Sequence, residues 1–197
     1  MKTTLDLIRH GEPAGGRMYR GCIDHPLSEL GWAQMRAATA TPAAWQRIVT
    51  SPLLRCREFA EELAGRLGLP LRVDERIREV GFGNWEGRTG EQIRAADPAA
   101  LTRFYHDPVG ARPDGAEPLA DFQHRVAAAL DEVLERHAGE HVLLVTHAGV
   151  IRVAVAHVLG APLDAIYRTH VDNAAVTRLQ RSAERPLTLV YHGRRRL

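Results

Sequence analysis

The sequence predicts a doubly wound α/β sandwich of three layers, with a mostly parallel central sheet and helices on both faces. Two observations carry that expectation. Short continuous apolar runs at 4–9 (TLDLIR), 47–50 (RIVT) and 141–146 (HVLLVT) have the length and Val/Ile/Leu content of buried parallel strands. Helical periodicity fills the stretches between and after them, so strand and helix alternate. The size fits a single domain over residues 1–197. A chain of 21.8 kDa should bury roughly 70% of the ~32,000 Å² exposed when extended, ample for a core without disulfides or a structural metal.

The elements follow in order. After strand 4–9, Ser28 caps a helix through Ala40, with Leu30, Ala33 and Ala37 on one face. Strand 47–50 leads into Ser51-Pro52, an N-cap with proline at the first helical position, and that helix runs to about Leu67, where Gly68 stops it. Residues 97–118 hold four prolines and two glycines, which predicts a lid-like loop over one end of the sheet. An amphipathic helix is expected over 119–137, strand 141–146 next, and a helix over 149–159. Two further strands, 175–180 and 187–192, close the order. No internal repeat or low-complexity linker interrupts it.

Composition narrows the function. The chain is 45% hydrophobic and 25% charged with net charge +2, so no general basic field invites nucleic acid. Cys22 and Cys56 form neither a C-x-x-C pair nor a zinc pattern. The opening MKTTLDLIRHGEP lacks a signal-peptide apolar stretch, and no run approaches a membrane span. A soluble cytoplasmic protein without membrane partners is therefore expected. Lys2 is the only lysine, which excludes a P-loop and a Schiff-base enzyme.

Open α/β sheets bind ligands at the carboxyl ends of their strands. Here those ends read Arg9-His10-Gly11-Glu12, then Ser51 with Arg55 one turn on, then Thr146-His147-Ala148-Gly149. Two histidines, each with glycine close behind, meet arginines and a helix N-terminus at one rim. That chemistry suits a dianion such as phosphate. Taken singly, each histidine reads as structural and Arg55 as a surface residue; the joint placement is what points to a phosphate pocket.

LIRHGEP, SPLLRCREFA, REVGFGNWEG and VTHAGVIR arrive in the order of the histidine phosphatase superfamily, which the chain resembles over about residues 4–180. That superfamily includes cofactor-dependent phosphoglycerate mutases and α-ribazole phosphatases. The compact length and the GCIDHPLSELGWAQM run are most similar to the α-ribazole and small phosphatase group. The resemblance implies a phosphoglycerate mutase-like fold and a metal-independent phosphomonoesterase without cofactor, acting on a small phosphorylated metabolite such as α-ribazole 5'-phosphate. It implies His10 as the nucleophile that takes the phosphoryl group, Arg9, Arg55 and His147 as the clamp on its oxygens, and Glu79 as general acid/base. Gly11, Arg20, Gly21, Ala148 and Gly149 complete the implied phosphate pocket. Arginine forks stabilise the charge spread over equatorial oxygens, and a departing alkoxide needs a proton from a nearby carboxylic acid. Glu12 and Glu86 compete with Glu79 for that last role.

Departures bear on the substrate. Pro13 stands where the superfamily often has threonine, and no Asn follows; Gly15 or Gly16 can supply a backbone N–H instead, and Arg20 charge. Gly115-Ala116-Glu117-Pro118 stands where G-G-E-S is common. A phosphoglycerate mutase is the rival enzyme. The chain's close in a strand and Gly-Arg-Arg-Arg-Leu, without extra tail segments, favours hydrolysis. A non-catalytic phosphate-binding module is the rival of another class. Other motifs fail. Ser28 and Glu62 stand where a tyrosine-phosphatase arginine would follow Cys22 and Cys56; no H-E-x-x-H or G-x-S-x-G occurs. Gly81 to Gly87 is read as a turn, not a dinucleotide fingerprint. His106-Asp107 lacks partners for a metal, and Cys22 either borders the site or packs. Substrate and oligomeric state stay open.

Overall fold

In the computed structural model, which describes residues 1–41 and 44–194, six strands form one mixed sheet. Strands β1 (Lys2–Arg9), β2 (Arg47–Thr50), β3 (Leu71–Val73) and β4 (His141–Thr146) run parallel, and β5 (Val176–Ser182) and β6 (Thr188–Arg194) turn antiparallel at one edge. The spatial order is β3-β2-β4-β1-β5-β6. Helices α1 (Glu29–Ala38), α2 (Leu54–Leu67), α3 (Gly90–Ala96), α4 (Ala100–His106), α5 (Leu119–Arg136) and α6 (Ala148–Leu159) complete the chain. The last residues of the Gly-Arg-Arg-Arg-Leu tail lie outside the described residues.

The pleat sends alternate side chains to opposite faces. Leu5, Leu7, Val142 and Leu144 pack under α5 and α6, while Ile8, Leu143 and Val145 pack under α1 and α2. Both faces are thus covered, as continuous apolar strands require. The folded chain exposes 9452 Å², about 30% of the area an extended chain of its mass presents. No helix among the described residues is long and apolar enough to cross a membrane.

The structure corrects three expectations and adds a strand. Helix α1 buries Gly31, Met35 and Ala38, and Leu30, Ala33 and Ala37 face outward. The reason is a backbone contact: a Cβ on Gly31 would stand 2.1 Å from the Glu12 carbonyl oxygen, so the helix seats its glycine on the loop after β1. Helix α2 begins at Leu54, not at the Ser51-Pro52 cap. Its first N–H donates instead to Asp24 Oδ1 at 2.6 Å. The proline-rich stretch 97–118 is not all loop: Pro98 precedes α4, Pro108 and Pro113 follow it, and seven helical residues fit between. Strand β3, three residues at the sheet edge, went unpredicted because it is too short for a period to show.

Candidate active site

Neighbouring strands deliver the first three groups. Because β2, β4 and β1 lie side by side, the residues just past their ends stand in a row: Ser51, His147, His10. Backbone bonds extend the ladder past the strands, from His10 N to the Thr146 carbonyl at 2.9 Å and from Ser51 N to the Val145 carbonyl at 3.0 Å. The two imidazoles pack edge to face with centroids 5.2 Å apart, and both are buried. Burial, reinforced by the Arg9 and Arg55 charges, holds His10 well below the usual imidazole pKa. Burial and the Arg55 charge do the same to His147. Both rings are therefore neutral. His10 Nδ1 lies 2.7 Å from the Gly11 carbonyl oxygen. A carbonyl only accepts, so Nδ1 carries the proton and Nε2 keeps its lone pair.

Two arginines frame the pair. Arg9 Nη1 donates to the Val171 carbonyl at 2.7 Å. Arg55, fully buried at the start of α2, donates from Nη1 to Ile23 and from Nη2 to Gly21, at 2.8 and 3.0 Å. Each keeps a buried Nε–H with no partner. Native proteins rarely leave a buried donor unsatisfied without a use for it. Burial pushes Arg9 down to about 10, still charged at neutral pH. Arg20 lies near enough to bear on His10, but its guanidinium braces the loop, donating to Ala14 and Gly16 carbonyls and to His25. Gly15 and Gly16 take positive φ in that loop. Gly21 has both backbone groups engaged, its N–H by Glu86 and its carbonyl by Arg55; its part is to hold the arginine.

The three carboxylates that the sequence offers for the acid role have different surroundings. Glu79 is buried, with Oε1 accepting from Val80 N at 3.0 Å and Oε2 from Gly149 N at 3.1 Å. The second bond comes from the N-terminal turn of α6, beside His147 and Ala148. A Cβ on Gly149 would stand 2.1 Å from Glu79 Oε1, so glycine there makes room for the carboxylate. Glu86 instead gathers backbone N–H groups of Gly21, Cys22, Ile23 and Phe82. Glu12 accepts from Ser28 Oγ at the start of α1. Arg125, on α5, holds the Glu79 segment by donating to the carbonyls of Arg76, Arg78 and Glu79. Thr146 Oγ1 ties the same segment to β4 through the Ile77 carbonyl at 2.9 Å.

Sequence reasoning missed Arg125, the contact of Ser51 Oγ with His147 Nε2, and Arg112, whose guanidinium also has unpartnered buried nitrogens. An i-to-backbone clamp such as Arg125 leaves no motif, since its partners are carbonyls that every residue owns. Cys22 is exposed and Cys56 is buried against His147. Asp107 accepts from Gly110 N. Among the described residues no group of three or more His, Cys, Asp or Glu could hold a metal ion.

A family model described as histidine phosphatase superfamily (branch 1) matches residues 5–192. The chain belongs to the histidine phosphatase superfamily. Within it, phosphoserine phosphatase 1 of Hydrogenobacter thermophilus is 30% identical over 191 residues, covering 94% of this chain and 90% of that one. A bifunctional protein of Mycobacterium tuberculosis is 33% identical over 180 residues. The chain spans only about half, 49%, of that longer relative. Among solved structures, a mycobacterial glucosyl-3-phosphoglycerate phosphatase superposes with TM-score 0.86 at 30% identity, covering 98% of this chain and 99% of that one. The α-ribazole phosphatase of Shigella flexneri superposes with TM-score 0.85 over 98% of each chain at 24% identity, a likeness of fold. The superfamily expectation thus stands, as does its α/β architecture.

Proposed function

We propose that this chain hydrolyses a small phosphomonoester through a phosphohistidine on His10. What carries the reading is the pairing of a neutral His10, its Nε2 lone pair free, with two buried arginines whose Nε–H groups lack partners. In the first step Nε2 attacks phosphorus as the bond to the leaving oxygen breaks, and Glu79 donates the proton that oxygen needs. Arg9, Arg55 and His147 bear the charge on the equatorial oxygens. In the second step water attacks phosphorus, Glu79 takes its proton, and the P–N bond breaks to restore His10. Arginine charge replaces a metal in this scheme, so activity should persist in EDTA.

Phosphoserine, glucosyl-3-phosphoglycerate and α-ribazole 5'-phosphate, the substrates that relatives and neighbours are named for, form the first assay panel, with 3-phosphoglycerate to register mutase transfer. Radioactive phosphate from a turned-over substrate should appear as an acid-labile, base-stable label on His10, absent in His10→Ala. Label on a carboxylate or on Cys22 would overturn the mechanism. Tight phosphate binding without label or product would leave only a binding module.

A further inference from the structure

Ser51 follows β2 without capping the helix after it, and its hydroxyl has another use. Ser51 Oγ lies 2.7 Å from His147 Nε2, and both residues are fully buried. On its other side Oγ accepts from Leu53 N at 3.3 Å. His147 Nδ1 has no nitrogen or oxygen partner among the described residues; Cys56 Sγ lies 3.9 Å from Nδ1 and 3.6 Å from Nε2, so Ser51 Oγ at 2.7 Å is much the nearer partner of Nε2. Cys56 does not compete for the ring's proton. Its thiol, which burial keeps protonated, donates to the Thr146 carbonyl at 3.4 Å.

A neutral imidazole has one donor and one acceptor nitrogen, so the position of its single proton decides what it shows a ligand. A lone pair turned toward a phosphoryl oxygen repels it; an N–H turned toward it binds. We infer that Ser51 is a positioning residue for His147, donating its hydroxyl proton to Nε2 and so holding the ring as the Nδ1–H tautomer that presents a donor to the phosphoryl group. When the ring is charged, Nε2–H donates back to the same oxygen after the hydroxyl rotates. The Ser51–His147 pair stands beside His10 in one row across three adjacent strands. This inference rests on the phosphoryl-transfer role proposed for His147, but its first test does not.

That test is the long-range ¹H–¹⁵N spectrum of the ligand-free protein, assigned by comparison with His147→Gln. His147 should show a protonated Nδ1 and an unprotonated Nε2. A protonated Nε2 in the free enzyme overturns the inference without any variant. In Ser51→Ala the pattern should move toward a tautomer mixture, and Ser51→Thr, which keeps the hydroxyl, should restore it. Activity on an alkyl phosphate should fall about 10- to 100-fold in Ser51→Ala, by analogy with the range found when the hydrogen-bond partner that orients a metal-bound histidine is removed. The loss should lie in kcat more than in KM, and Ser51→Thr should recover most of it. An unchanged tautomer in Ser51→Ala, or a changed one with undiminished kcat, would refute the positioning role. Should the His10 label fail to form while the tautomer behaves as stated, the reaction falls and the Ser51–His147 coupling stands.

Discussion

At the scale of single residues, the environment of Glu79 differs from that of its rivals in a way that kinetics can read. Glu12 and Glu86 direct their carboxylates to Ser28 and to a loop backbone, whereas Glu79 sits at the start of α6 beside His147. Glu79→Gln should therefore lose on the order of 10²–10⁴-fold on an alkyl phosphate, whose leaving alkoxide needs a proton. On p-nitrophenyl phosphate, phosphoenzyme formation should barely change, giving a burst of nitrophenol and then slow turnover in rapid mixing. An equal loss on both substrates would move the proton donor elsewhere. The sequence reading drew on the placement of Arg9, His10 and His147 at strand ends and of Arg55 one turn past the end of β2, and the structure brings the four together at one edge of the sheet. Ser51 was legible only as a helix cap, since the sequence does not say that β2 lies next to β4.

At the scale of elements, α1 packs backbone to backbone on the segment that follows β1. Gly31 presses its backbone on the loop that carries His10: a Cβ on Gly31 would meet the Glu12 carbonyl, and one on Gly11 would stand 2.2 Å from the Gly31 carbonyl oxygen. Overpacking of that kind costs about 1–3 kcal/mol. Gly31→Ala should lower the denaturant midpoint accordingly and reduce phosphoenzyme formation, while Ala33→Gly, on the exposed face, should affect stability only. Undiminished labelling in Gly31→Ala would show that the loop tolerates the shift. The same contact explains why the inward face of α1 was misread. Apolarity marks a helix face only when side chains do the packing, and here backbone meets backbone. The three apolar strands were legible for the opposite reason, being buried on both sides and reading as unbroken runs. The stretch 97–118 misled because prolines that flank a short helix look, in sequence, like prolines that forbid one.

At the scale of the whole molecule, the two neutral histidines make stability depend on pH. In the unfolded chain each titrates near 6.5, while in the fold burial holds each well below that value. The unfolded state consequently binds more protons as pH falls, so stability is full above about 6.5 and is lost below it, by up to about 1.4 kcal/mol per pH unit for each ring. Urea unfolding between pH 7.5 and 5 should show this slope, and His10→Gln should reduce it. A flat profile would mean that the rings charge within the fold. One more consequence follows from β1 and β4 being paired in register, Arg9 opposite Thr146. The ladder fixes two uncharged bases side by side before any ligand arrives, so the pocket meets a dianion with an unfilled place for a proton. Binding inorganic phosphate or vanadate at pH 8 should draw about one proton from solution, measurable as a dependence of binding heat on the buffer's ionisation enthalpy. Strict independence of buffer would contradict it. By linkage, uptake of a proton with the ligand means that affinity for released phosphate weakens as pH rises. Alkaline conditions should therefore relieve inhibition by the enzyme's own product.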